Sequence, residues 1–329
     1  MHNDLPLLLA IAGMGFLSLN EKIILRKKLD NIADLAVLSI EEISELICRH
    51  VRSGSWNGAL VERRAAQTET LLRSFDIGCV LYAERAYPVL LREIFDPPFM
   101  LFYRGNLSAA EKPCVSVVGT RNPSKEGMDA ASVFAKEAAR GGATLVSGLA
   151  RGIDACAHRG AVAANGASVG VLPCGADTVY PAANRRLAAA MIETGGCLLS
   201  EYAPGVPPDK FRFPHRNRII AALSPVTLVV EAPPKSGAWI TAEFALEHGR
   251  DVYVHRAAFG EEARLRSRIK TAELAALKKT PDCASAERFL RDGAPIVGSY
   301  AEYLSYRSAA PGAAYCRSDA QLCFENEKR

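Results

Sequence analysis

Apolar positions in residues 5–47 recur at helical spacing, with breaks at Gly13-Met14-Gly15, Leu29-Asp30-Asn31 and Leu38-Ser39. The pattern predicts three or so short helices. Ser39 followed by Glu42 makes a capping box for the last of them, SIEEISELI. The polar stretch Arg52, Ser53, Gly54 and Ser55 reads as a seam before another helix over about residues 59–75. Residues 76–111 carry short extended apolar runs, GCVLY and FMLFY, around Pro88, Pro97 and Pro98. They read as a connecting layer leading into the core.

From Lys112 the pattern changes. CVSVVG, ATLVSG, SVGVLP, CLLSEY, VTLVVEA and DVYVHR are short and hydrophobic on both faces, and amphipathic runs such as MDAASVFAKEAARGG and NRRLAAAMIETGG lie between them. Alternating strand and helix units of this kind predict an α/β fold with a doubly wound, Rossmann-like parallel sheet covered by helices. Right-handed crossovers place every strand-to-helix loop along one edge, where ligands of such sheets bind. The chain therefore divides into a helical region over residues 1–58, a connecting segment over 59–111, a core over 112–299 and a tail over 300–329. The tail is expected to be without regular structure.

Composition narrows the class. Apolar residues make up 49% of the 329 positions and charged residues 23%, ordinary usage for a folded protein. The nine cysteines include no CxxC pair and have no histidine cluster beside them, so neither a zinc site nor a disulfide framework is expected. The opening run MHNDLPLLLAIAGMGF has no basic leader and no small-residue cleavage site, which reads as a buried helix, not a signal peptide. No apolar run is long enough to span a membrane, and a cytoplasmic setting is the expectation. Net charge is +4, and residues 112–256 hold 16 basic against 12 acidic side chains. That surplus is compatible with an anionic partner without requiring one.

The loops on the expected ligand edge share a chemistry. The first, Gly119-Thr120-Arg121-Asn122-Pro123-Ser124, follows a strand and opens a helix, so free backbone N–H groups, a helix dipole and a guanidinium converge as an anion cradle. The alternative is that Gly119 only makes the turn while Asn122-Pro123 caps the helix. The second, from Ser147 and Gly148 to Arg151, Gly152, Ile153 and Asp154, is again built of small residues and an arginine. Asp154 as a helix cap and His158 as a hydrogen-bonding structural residue are its ordinary roles. The third loop runs from Cys174 to Asn184, and the fourth places Ser236-Gly237 at a helix start, where both an oxyanion site and a plain N-cap fit. Between strands lies Phe211-Arg212-Phe213-Pro214-His215-Arg216-Asn217-Arg218. Arg212, Arg216 and, from a different face, Arg218 can track a phosphate backbone while the rings offer a platform for bases. Internal ion pairs and core rings are the competing account. A dinucleotide site is disfavoured, because GxGxxG is missing after the first core strand and Ser-Gly ends the second where a ribose-binding acid belongs. The Walker lysine loop is also missing, and no cofactor, metal or catalytic residue is expected.

The motifs VVGTRNPS, SGLARGIDACAHRGA, VLPCGADTVYP, LLSEY, FPHRNRIIAALS and VVEAPPKSGAWITAEFALEHGRDV closely resemble, in order and spacing, the core of the DprA/Smf family of DNA-processing proteins. YPVLLREIFDPPFMLFYRGNL resembles the segment before that core, and the helices around AGMG resemble the family's small SAM-like domain. The likeness covers about residues 5–256, with RFLRDGAPIV near 288–297. It implies a single-stranded-DNA-binding protein that forms a homodimer and loads the RecA recombinase in natural transformation or recombination. It also implies a phosphate-binding pocket at Gly119, Thr120, Arg121, Ser147, Gly148, Arg151, Gly152, Arg216, Asn217 and Arg218, with Ser236 and Gly237 close by. The sequence departs from the family in three ways. Ala182 stands where many relatives have lysine, residues 256–287 form a charged, helical-looking insert, and a C-terminal winged-helix domain is expected to be missing. Two rivals stand beside the DNA-binding reading: a lysine-decarboxylase-like phosphoribohydrolase, which shares this Rossmann variant and would use Glu243 on a nucleoside monophosphate, and a relative that has kept the fold but lost DNA affinity through Ala182 and the altered C-terminal part.

Overall fold

The computed structural model describes residues 4–51, 56–276 and 284–309. Five helices open the chain: α1 (Leu5–Ala12), α2 (Leu19–Lys28), α3 (Ile32–Val37), α4 (Ile40–Leu46) and α5 (Gly58–Ser74). The region before residue 47 thus holds four helices where the periodicity predicted about three, because α3, at six residues, is too short to show a period. Its boundaries come from capping chemistry instead. Ser18 with Glu21, Asn31 with Asp34 and Ser39 with Glu42 each form a reciprocal capping box, so α2, α3 and α4 all begin where a side chain satisfies the first free N–H groups.

The expected seam at residues 52–55 lies outside the described residues. On either side of it the chain forms one core: Leu7, Ile11, Leu25, Leu35 and Ile43 from the first helices pack with Ala65 and Leu72 of α5. The same cluster takes in Leu81, Met100 and Phe102 of β1 (Gly78–Leu81) and β2 (Met100–Gly105). Residues 59–111 thus contribute most of α5 to the helical layer and β1 and β2 to the sheet.

The sheet continues through β3 (Cys114–Val118), β4 (Thr144–Ser147), β5 (Ser168–Val171), β6 (Cys197–Ser200), β7 (Val226–Val229), β8 (Asp251–His255) and β9 (Ile296–Val297). Its order is β1-β2-β6-β5-β4-β3-β7-β8-β9. Pairing is parallel from β6 to β9, whereas β2 runs antiparallel to β6 and β1 antiparallel to β2. Every residue of β3 to β7 is buried, as their unbroken apolar runs predict for strands covered on both faces. From β3 the chain winds outward to β6, then returns to lay β7 on the other side of β3. The crevice beside β3 and β7 is thus the switch point of the sheet.

The covering helices are α6 (Val89–Arg92), α7 (Lys125–Arg140), α8 (Ile153–Ala163), α9 (Arg185–Glu193), α10 (Arg212–Ala222), α11 (Gly237–Glu247), α12 (Glu261–Ala276), α13 (Ala286–Arg291) and α14 (Tyr300–Ala309). Ile219, Ile220, Trp239 and Phe289 from α10, α11 and α13 build one core face with Val118, Val146 and Val229. Phe134 of α7 and Ile153 of α8 build the other with Val117 and Leu145. The tail expected to lack structure from residue 300 begins with a helix. Tyr300 and Tyr303, one turn apart, meet Phe134 at 5.7 and 6.4 Å between ring centroids, and Tyr303 meets Tyr253 at 5.5 Å. Burying those rings stabilises a segment whose sequence pattern is weak. The rest of the tail, with Pro311 and Gly312, lies outside the described residues.

Candidate nucleic-acid interface

Beyond the carboxyl ends of β3 and β7 lies a cleft of about 540 Å³. The loop after β3 supplies Gly119, Thr120 and Arg121 to its wall. Thr120 is fixed from both sides, its N–H donating to Glu231 O at 2.6 Å and its carbonyl accepting from Ile153 N at 3.1 Å. The cap of α7 is Ser124, not Asn122-Pro123: its Oγ accepts from Gly127 N at 3.0 Å and donates to Glu231 Oε2 at 2.6 Å. With the backbone so anchored, the Arg121 guanidinium lies 5.3 Å from the Phe213 ring centroid, and Phe213 meets Tyr180 edge-on at 5.4 Å.

The loop after β4 builds the floor. Gly152, at φ 77°, is the N-cap of α8, and a Cβ there would fall 2.3 Å from Thr120 O. Asp154 therefore does not cap the helix; its Oδ2 accepts from Gly148 N at 3.2 Å and Ala150 N at 3.4 Å, bracing the loop. Above that loop sits Arg216, only 4% exposed, whose Nη1 donates to Gly148 O at 2.8 Å and also to Val171 O. Gly148 makes room for both groups, since a Cβ would lie 2.7 Å from Arg216 Nη2 and 2.8 Å from Asp154 Oδ2. Burial lowers the Arg216 pKa to about 10 against the opposing pull of Asp154, so the group stays cationic at neutral pH. Burial likewise raises Asp154, with Arg216 acting against it.

His158, one turn beyond Asp154, is wholly buried, and among the described residues neither ring nitrogen has a hydrogen-bond partner. Burial and the Arg216 charge hold it down to about 3. It is a neutral ring filling space, and the hydrogen-bonding role expected of it is not met. The third loop contributes Tyr180, while Ala182 falls in a 3-10 turn outside the cleft lining. The fourth brings Lys235, Ser236 and Gly237; Ser236 caps α11 through Ala238 N at 3.4 Å, and Gly237 O accepts from Asn217 Nδ2 at 3.1 Å.

The cleft thus gathers Arg121, Lys210, Arg216, Lys235 and Lys270 against one carboxylate, Asp154, beside the rings of Tyr180 and Phe213. Of the residues singled out in the sequence, Gly119, Thr120, Arg121, Arg216, Asn217, Ser236 and Gly237 line it. Gly148 lies directly beneath Arg216. Ser147 is buried with its hydroxyl donated to Val117 O at 2.7 Å, Gly152 supports Thr120, and Arg151 is exposed and not among the residues lining the cleft. Arg212 and Arg218 face a second cavity of about 410 Å³ next to the helical layer. There Arg218 pairs with Glu201 at 2.5 Å and Asp96 at 3.6 Å, and Arg212 stacks 5.1 Å from the Tyr202 centroid. At about 100° per residue, Arg216 and Arg218 necessarily leave α10 on opposing sides. Sequence reasoning missed Lys210, Lys235 and Lys270 as cations of the cleft. Lys235 sits inside the fourth loop and could have been read there, whereas nothing in the pattern around Lys270 points to the cleft.

Glu243, the carboxylate a phosphoribohydrolase would need, is turned to α13, pairing with Arg288 at 3.4 Å, and does not line the cleft. Among the described residues no cluster of three metal-ligating side chains occurs.

A family model described as DNA recombination-mediator protein A matches residues 78–297. The chain is 47% identical over 171 residues to Protein Smf of Synechocystis sp., covering 51% of this chain and 43% of that protein. It is 46% identical over 167 residues to DNA processing protein DprA of Streptococcus pneumoniae, covering 51% of this chain and 58% of that one. The chain spans about half the length of the curated relatives it matches. Among solved structures, DprA from Streptococcus pneumoniae superposes with a TM-score of 0.67 at 30% identity, over 93% of this chain and 98% of that chain. DprA from Helicobacter pylori, described for its single-stranded DNA binding mode, gives a TM-score of 0.55 at 26% identity over 70% and 95%.

Proposed function

Because the chain belongs to the DNA recombination-mediator protein A family, we propose that it binds single-stranded DNA in the cleft beside β3 and β7, holding the strand by its phosphates rather than cutting it. One observation carries this reading: five cations and two aromatic rings converge with a single carboxylate that Arg216 already offsets. Lysine and arginine side chains gripping phosphates give sequence-independent affinity, while Tyr180 and Phe213 present π-faces that accept any base. The single-stranded DNA binding described for the Helicobacter pylori relative supports it. Duplex DNA offers no unstacked bases to those rings, so single strands are the preferred form.

Delivery of the strand to the RecA recombinase, pairing into a homodimer and a cytoplasmic setting complete the proposal. The recombination-mediator description of the family supports the first of these. Among the described residues no helix is long and apolar enough to cross a membrane. Gel-shift titration of oligo-dT and of a matching duplex at two salt concentrations tests the central claim. Arg121→Ala combined with Arg216→Ala is expected to weaken oligo-dT binding about tenfold or more and to flatten its salt dependence. Unchanged binding by that double variant refutes the cleft. Sedimentation velocity and RecA-dependent strand exchange test the homodimer and recombinase delivery.

A further inference from the structure

Helix α12 belongs to the stretch where the likeness to the family motifs breaks off, yet it stands against the cleft. Only Ala263 and Leu274 of its sixteen residues are buried, so it lies on the surface of the core. Its charges divide between two flanks. On one, Arg266 Nη1 donates to Asn122 O at 2.8 Å, fastening the helix to the loop that carries Thr120 and Arg121. Lys270, one turn further along that flank, lines the cleft itself. On the other, Arg264 and Arg268 line a separate cavity of about 660 Å³.

We propose that α12 is the outer wall of the strand-binding cleft and that Lys270 takes a phosphate of the bound strand. The inference rests on the single-strand reading above and adds to it a contact that no motif announces. The Lys270 ammonium is held by Glu273 at 2.9 Å in a pair with both side chains about half exposed. An exposed pair of this kind contributes little and yields to a phosphate. A compact charge on a flexible stem suits a backbone that must be followed without reading its bases. Arg266 acts differently: its guanidinium is spent on Asn122 O and Glu262, so it positions the helix instead of touching DNA.

The test is the salt dependence of oligo-dT binding, measured by fluorescence anisotropy on the full chain. Each phosphate contact to a single strand adds about 0.7 to the slope of log affinity against log salt. Lys270→Ala is expected to reduce the slope by about 0.7, which corresponds to about fourfold weaker binding at 0.15 M salt if affinities converge near 1 M. Lys270→Arg should restore the slope, and Arg268→Ala, on the opposite flank, should leave it unchanged. An oligo-dT carrying a pyridyl disulfide should also exchange with the Lys270→Cys thiol, releasing pyridinethione, above the level of the unaltered chain, and not with Arg268→Cys. An unaltered slope in Lys270→Ala, or equal trapping at both positions, overturns the proposal. If Arg121→Ala lowers the slope and Lys270→Ala does not, only the role of α12 fails. If neither does, the cleft reading fails with it.

Discussion

Helix α10 divides two cavities made from the same residue types, and only one of them is fit to hold an anion. On the cleft side Arg216 sits over a single carboxylate, with Arg121 and three lysines nearby. On the side of the helical layer, Arg218, Arg212, His215 and Lys22 face Glu201 and Asp96. There Glu201 bonds both Arg218 and His215, and although burial pushes its carboxyl up, the His215 hydrogen bond and the Arg218 charge outweigh that and hold it below the usual carboxylate range. The second cavity is therefore an internally compensated joint between layers. Counting arginines in the motif cannot separate the two; what decides is how many carboxylates the fold delivers to each side.

The comparison breaks most visibly at Arg216. Arg216→Ala removes the cation that offsets buried Asp154, which is expected to cost about 3–5 kcal/mol of stability and to abolish strong oligo-dT binding. Adding Asp154→Asn should recover most of the stability, read by urea unfolding, and none of the binding. Recovery of both would mean that Arg216 braces the loop and touches no phosphate. Across the helix, Arg218→Met removes one member of the buried Glu201 pair and leaves the Glu201 hydrogen bond to His215, and a loss of about 3 kcal/mol, at the low end for a broken buried pair, is expected. Its oligo-dT affinity should stay within about twofold of the original and its salt slope should not move. A reduced slope in Arg218→Met would erase the distinction between the two sides.

How much of this was legible in the sequence follows the same division. The sheet was, because β3 to β8 are unbroken apolar runs separated by amphipathic ones, and a covered parallel sheet has few other solutions. Gly119, Arg121 and Ser236 were readable because loops at the ends of such strands share one edge. Ser147 and Arg218 were not separable from them, since the Ser147 bond to Val117 and the Arg218 pair with Glu201 depend on partners 30 and 17 residues away in the chain. Lys270 lay hidden for the same reason: its helix is tied to the cleft by a hydrogen bond to Asn122 O, 144 residues away in the chain. Helix α14 escaped notice because two tyrosines anchor it to Phe134, a tertiary contact with no local signature.

The smallest effect concerns acid, and it too separates the two sides. His158 is buried near Arg216 with its pKa lowered from 6.5 to about 3, burial being the larger cause and the Arg216 charge the second. Unfolding restores the ordinary value, so between about pH 6.5 and pH 3 the unfolded chain binds a proton that the folded one refuses. Stability from this residue is therefore complete above pH 6.5 and falls as the solution is acidified. One unit below, at pH 5.5, the expected loss is about 1.4 kcal/mol. His158→Leu keeps the volume roughly constant and removes both unpartnered nitrogens, so its urea-unfolding stability should lose that part of the slope between pH 7 and 5.5. An identical pH slope in the two proteins would place the acid sensitivity elsewhere.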